Sequence, residues 1–117
     1  MIRSLCSFSL LFLLALSSCK VSAQEQWEAT IQNFEKMDQE ATPEPGAVLF
    51  VGSSSIARWR DMADYFPEYR VLNRGFGGSQ FSDLIYYADR VIYPYQPSKI
   101  FIYEGDNDLA AGDTPKS

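Results

Sequence analysis

The 117-residue sequence contains no histidine. Missing with it is the side chain that most often acts as general base beside a nucleophilic serine or cysteine. Cysteine is almost as scarce. The two present, Cys6 and Cys19, both precede residue 24, so the rest of the chain cannot be stapled by an intrachain disulfide. Positive charge is in deficit, with 10 Lys and Arg against 15 Asp and Glu and a formal net charge of -5. A nucleic-acid footprint needs a basic patch, which this balance argues against. Internal repeats and low-complexity tracts are also lacking. What the chain has is apolar bulk: 46% hydrophobic and 15% aromatic residues are enough to pack the core of one small domain.

The long apolar run sits at the start. Leu5 to Leu16 follows the positive Arg3 and has the length of a signal-peptide core, too short for a comfortable membrane span. Residues 1–23 are therefore expected to be an export leader. Two processing routes stay open. Val21-Ser22-Ala23 offers small residues for cleavage before Gln24, and Leu16-Ser17-Ser18-Cys19 resembles a bacterial lipobox, which would make lipidated Cys19 a membrane tether. Either route implies export, to the periplasm or the exterior or to a membrane-anchored form. Without Arg3 and Lys20, 8 basic residues face 15 acidic ones, a formal -7.

Ala47 to Ile56, AVLFVGSSSI, organises the remainder. Val48 to Val51 is uniformly apolar and flanked by turn residues, the pattern of a strand buried on both faces. Gly52 permits a sharp turn, and three serines follow it. Before this strand, Trp27, Ile31, Phe34 and Met37 recur at helical spacing, and Thr42-Pro43-Glu44-Pro45-Gly46 ends that helix. After it, Ile56 to Tyr65 reads as a short helix and Arg70 to Asn73 as a second strand. Gly75-Phe76-Gly77-Gly78 is a turn, with Ser79 as N-cap of a helix whose apolar side holds Phe81, Leu84, Ile85, Ala88, Val91 and Ile92. Lys99 to Tyr103 is a third apolar strand, and Glu104 to Asp108 a turn. Strands alternating with helices predict a parallel sheet covered by helices. Crossovers of one hand bring the turns 52–55, 75–79 and 104–108 to one rim. Strand 99–103 carries an aggregation hazard if its apolar edge stays open.

Acyl transfer needs a nucleophile, a base and donors for an oxyanion. Ser54 can supply the hydroxyl. The backbone N–H groups of Ser54 and Gly78 and the side-chain amide of Asn107 can supply the donors. Ordinary turn chemistry is the bland alternative for Ser53, Ser54 and Ser55, a turn or cap role for Asn107, and backbone shape for Gly78. Asp106 and Asp108, with no His or Cys nearby, read as solvated turn residues and not as metal ligands. Other site types fit poorly. A phosphate-binding P-loop needs a lysine near Gly52, a dinucleotide fingerprint needs glycine at Gln80, and a nucleophile elbow needs glycine at Ile56.

Gly52-Ser53-Ser54, Gly78 within NRGFGGSQ, and Gly105-Asp106-Asn107-Asp108 together resemble the first three sequence blocks of the SGNH, or GDSL-like, hydrolases. The resemblance runs from about Val48 to Asp108. It implies a flavodoxin-like three-layer α/β/α fold with a parallel sheet. It also implies exported ester hydrolysis by a serine nucleophile, with Ser54, Gly78 and Asn107 as the site. Gly77 is an alternative placement for the glycine. No metal or organic cofactor is implied; the partner would be a small-molecule or carbohydrate ester. Ser53 departs from the family's usual aspartate. The family's Asp-x-x-His block has no counterpart here, so residues 24–117 are expected to be the N-terminal part of the domain, inactive by themselves. The alternative is a non-catalytic flavodoxin-like module binding a sugar or acyl group.

Overall fold

The uniformly apolar strand lies at the centre of the sheet in the computed structural model, which describes residues 24–115. The leader, both processing sites and Cys19 lie outside the described residues. β1 (Val48–Gly52) pairs in parallel with β2 (Val71–Asn73) and with β3 (Lys99–Tyr103), in the order β2-β1-β3. Leu49 stands opposite Leu72 on one side and Ile100 on the other. Parallel neighbours need crossovers, and helices supply them. α1 (Glu28–Glu40) precedes β1, and α2 (Ser54–Arg58) with α3 (Met62–Tyr65) leads to β2. α4 (Phe81–Val91) leads to β3, and α5 (Asp106–Ala110) follows it. The chain is thus an α/β fold with a parallel sheet.

Alternation along β1 sorts the helices into layers. Leu49 and Val51 face a core with Trp27, Ile31, Phe76, Leu84, Tyr87 and Val91, under α1 and α4. Val48 and Phe50 face the opposite way, onto Ile56 and Met62, with Trp59 and Phe66 alongside. Burying such a side chain contributes about 1.5–3 kcal/mol. Two helix faces differ from expectation. Met37 is exposed because the buried stripe of α1 runs out after Phe34, and in α4 Phe81 and Ile85 face outward while Leu84, Tyr87 and Val91 face in. Tyr87 can be buried because its hydroxyl donates to the Gln24 carbonyl at 2.7 Å. The expected helix 56–65 is broken into α2 and α3 around Trp59–Asp61. The turn expected at 104–108 winds into α5 from Asp106 onward.

Two cations bind α1 to the rest, with unequal burial. Arg74 is 4% exposed. It donates to the Tyr95 hydroxyl at 2.7 Å, to the Asn73 carbonyl at 2.9 Å and to the Asp38 carboxylate, and lies over the Phe34 and Tyr95 rings. Burial and the Asp38 hydrogen bond push the Tyr95 hydroxyl up to about 12. Arg90 clasps Glu28 and Glu35 in two forked pairs at 2.6–2.9 Å, open to solvent. The Arg90 hydrogen bonds, with help from Gln32, hold the Glu28 carboxyl at about 2.

β1 ends at Gly52 with φ +129°, and a Cβ there would fall 2.1 Å from the Tyr103 carbonyl oxygen. No side chain fits between these backbones. β3 forms an edge, and Ile100, Phe101, Ile102 and Tyr103 are all exposed despite their apolar composition.

Gly52→Ala is expected to cost at least about 2 kcal/mol, from positive-φ strain together with overpacking, measured by urea unfolding. Asp38→Ala strands the buried Arg74 charge and is expected to cost about 3 kcal/mol. Glu35→Ala, on the solvated clasp, should cost under about 1 kcal/mol, and equal costs for the two would refute the distinction. The open β3 edge should make the chain self-associate with rising concentration, and Ile102→Lys should shift sedimentation towards monomer.

Candidate active site

The site rim is built by the C-terminal ends of the three strands, where open α/β sheets present ligand-binding turns. The three turns are hydrogen-bonded to one another. The Ser53 N–H donates to the Tyr103 carbonyl at 2.9 Å, carrying β1–β3 pairing one step past Gly52. The Phe76 N–H donates to the Gly52 carbonyl at 3.0 Å. Asn107 Nδ2 donates to the Ser79 carbonyl at 2.8 Å, and Gln80 Nε2 to the Asn107 carbonyl at 3.2 Å. Asp108 accepts from the Phe81 N–H at 3.1 Å, closing the start of α4 onto α5.

The three adjacent serines are separated by exposure. Ser53 is 1% exposed, with its N–H on β3 and its carbonyl accepting from Ala57 at 3.2 Å. Ser54 is half-buried and opens α2, where the first N–H groups of a helix have no intrahelical acceptor. Ser55 is exposed and bonds the Tyr103 hydroxyl, which itself donates to Asp106 at 2.7 Å. The Asp106 bond, foremost, raises the Tyr103 pKa.

Gly77 runs directly against Ser54; a Cβ added to it would lie 3.9 Å from the serine Cα and Cβ. The Gly77 carbonyl accepts from the Trp27 indole at 2.9 Å, fixing this turn from beneath. Gly78 is exposed, adopts φ +84° and has nothing within 4 Å of where a Cβ would stand. That is a left-handed position that glycine takes without steric cost, with open space for a ligand. Asn73 orders the same turn from the β2 side, donating to the Ile56 and Trp59 carbonyls at 2.7 and 3.2 Å and accepting from the Gly75 N–H at 2.9 Å. The half-buried Asn107 amide commits one N–H to Ser79 and keeps a second.

Ser79 is not the cap of α4. Gln80 holds that position, with its N–H donating to Asp83 at 2.8 Å. The Ser79 hydroxyl turns instead to Glu104, at 2.5 Å. Glu104 was invisible as a site residue in the sequence. The only signal was an acid closing an apolar strand and followed closely by two more, and its partner lies 25 positions away. Burial, and then the neighbouring carboxylates, push its pKa up to about 7. Asp106 and Asp108 bond to Tyr103 and Phe81, and among the described residues no cluster of three His, Cys, Asp or Glu could hold a metal. Among the same residues no helix is long and apolar enough to cross a membrane.

Two hollows flank this arrangement. One of about 330 Å³, lined by Phe81, Gly105, Asp108 and Leu109, adjoins the rim. Another of about 190 Å³, among Phe50, Phe66, Tyr69 and Phe101, opens on the sheet face towards the strands' N-terminal ends, away from Ser54.

No family model matches the chain, and no curated protein matches it. Solved structures do. A Streptococcus pneumonia protein described as a "putative platelet activating factor" superimposes with a TM-score of 0.61 at 23% identity, over 74% of this chain and 41% of that one. The likeness is one of fold, and the chain spans about two fifths of the length of the structure it matches.

Proposed function

We propose that this chain carries the nucleophile and oxyanion half of an exported serine ester hydrolase of the SGNH type. The observation that carries this reading is the joining of the three turns. The Gly77–Ser79 turn meets Ser54 through Gly77, and it meets Asn107 through the Ser79 carbonyl. In this reading the Ser54 hydroxyl attacks the ester carbonyl. The N–H groups of Ser54 and Gly78 and the second N–H of Asn107 receive the developing oxyanion, and water later frees the acyl group. The glycines let a carbonyl approach the backbone closely. The proton of Ser54 needs a base, and none of the 117 residues is a histidine. The SGNH reading assigns that role to a histidine of the Asp-x-x-His block. The fold neighbour described as a "putative platelet activating factor" is loosely compatible with a hydrolase, and that is the extent of its support. Short acyl esters on a carbohydrate are the substrate class that we favour, and a tether through lipidated Cys19 would hold the enzyme at a membrane.

The missing histidine also favours a second reading, a non-catalytic module that holds a sugar or acyl group on the same rim. Covalent capture separates the two. The chain is incubated with a fluorophosphonate in the presence of imidazole as an external base, and adducts are located by mass spectrometry. The enzyme reading expects an adduct on Ser54 that vanishes in Ser54→Ala and forms on the order of 10²–10³ more slowly in Asn107→Ala. Without imidazole, hydrolysis of p-nitrophenyl acetate should stay far below ordinary enzyme rates. An adduct on Ser53 or Ser55, or capture indifferent to Asn107, would overturn the assignment. Saturable binding of an acetylated sugar with no capture at all would establish the binding module.

A further inference from the structure

The proposed chemistry has no use for Glu104, yet the fold builds around it. Its Oε1 accepts the Ser79 hydroxyl at 2.5 Å, while its Oε2 is buried with no hydrogen-bond partner. Ser79 is 0% exposed, and its carbonyl is the acceptor for Asn107 Nδ2. One buried residue is thus gripped through its side chain by Glu104 and carries the Asn107 amide on its backbone. Gln80 ties the same segment to the Asn107 carbonyl from the next position. We propose that Glu104 is a positioning residue of the oxyanion site: by holding the Ser79 hydroxyl it fixes the carbonyl that orients the Asn107 side chain. This rests on the esterase reading only for what Asn107 then does; the coupling itself is a property of the fold.

Protonation sets two effects against each other at this contact: the Ser79 hydrogen bond favours the ionised carboxylate, while burial and the neighbouring carboxylates favour the neutral acid and prevail. The charged groups acting on Glu104 are Asp83 from α4 and Asp106 and Asp108 from α5, all of one sign. From the N-terminal side the neutral Gln24 approaches Asp83, at 3.4 Å. Among the described residues no Lys or Arg makes an ion pair with Glu104. Ionised, Glu104 would place a charge with an unpartnered buried oxygen amid three aspartates, a costly arrangement. Neutral, it keeps its contact to Ser79 without that repulsion. Its folded-state pKa of about 7 stands above the ordinary 4.5. The stability it contributes is therefore full below about 4.5 and lost as pH rises through about 7.

The test follows the Asn107 side-chain amide of the full chain by ¹⁵N NMR through a titration across neutrality. The proposal expects its resonances to move with a midpoint near 7, and the movement to disappear in Glu104→Gln and in Ser79→Ala. Glu104→Gln should also flatten the fall in unfolding stability over the same range. Glu104→Ala should slow Ser54 capture by fluorophosphonate at fixed pH, by less than the 10²–10³ of losing the donor itself. Asn107 resonances that stay fixed in the wild type, or a titration that survives both variants, would overturn the proposal. The wild-type titration and Ser79→Ala decide the matter even if Glu104→Gln does not fold. Capture without an Asn107 response defeats the positioning role alone. An Asn107 response without capture defeats the esterase reading alone.

Discussion

The contact on which the rest depends is the approach of two backbones at the end of the central strand. Gly52 stands opposite Tyr103 in the parallel register, with no room for even a methyl group between them. Because the strands meet this closely, the Ser53 N–H reaches the Tyr103 carbonyl and the chain turns into α2 at a fixed height above the sheet. The position of Ser54 follows from that turn. The exposure of the three serines follows too: the first is sealed against β3, the second half-emerges at the helix start, and the third lies in solvent. A larger residue at position 52 would push β3 away, and the 104–108 turn with Asn107 would move with it.

Much of this was legible in the sequence. Parallel strands, their order along the chain and the rim location of Ser54, Gly78 and Asn107 all follow from apolar runs that end in glycine. The backbone chemistry of such turns is local. What could not be read was tertiary. The open apolar edge expected at Lys99–Tyr103 is present, but that every one of its side chains lies exposed follows from the sheet order and not from composition. In α4, Phe81 and Tyr87 fit helical periodicity equally well on different faces, and the choice was made by a hydroxyl reaching the Gln24 carbonyl. Ser79 matched a cap by residue type, but the Asp83 carboxylate took the Gln80 N–H and left the serine hydroxyl to Glu104.

Two polar networks brace the same fold for different reasons. The Arg74 cluster is sealed between α1, the end of β2 and Tyr95, so its members depend on one another and removal of a single partner strands a charge. The Arg90 clasp spans α1 and α4 in solvent, where water substitutes for a lost partner. The first ties α1 to Arg74, the residue before Gly75 at the start of the 75–79 turn. Buried, mutually dependent contacts thus lie beneath the rim, which is where the proposed site would need its donors held in advance.

The charge at that rim is the feature that an oxyanion site must overcome. Asp83, Glu104, Asp106 and Asp108 crowd the ends of β3 and α4, and each anion opposes a further negative charge developing nearby. The structure answers this locally. Asp83 and Asp108 accept backbone N–H groups, and Asp106 accepts the Tyr103 phenol, so three of the four carboxylates have their charge spread over donors. Glu104 has one donor and one orphaned oxygen, and it is the carboxyl whose pKa rises towards neutrality. Carrying a proton, it removes one negative charge from beside Ser79 and so from behind the Asn107 amide. In the proposed esterase, the same buried acid that holds the geometry of the Asn107 donor would also set the field in which that donor works.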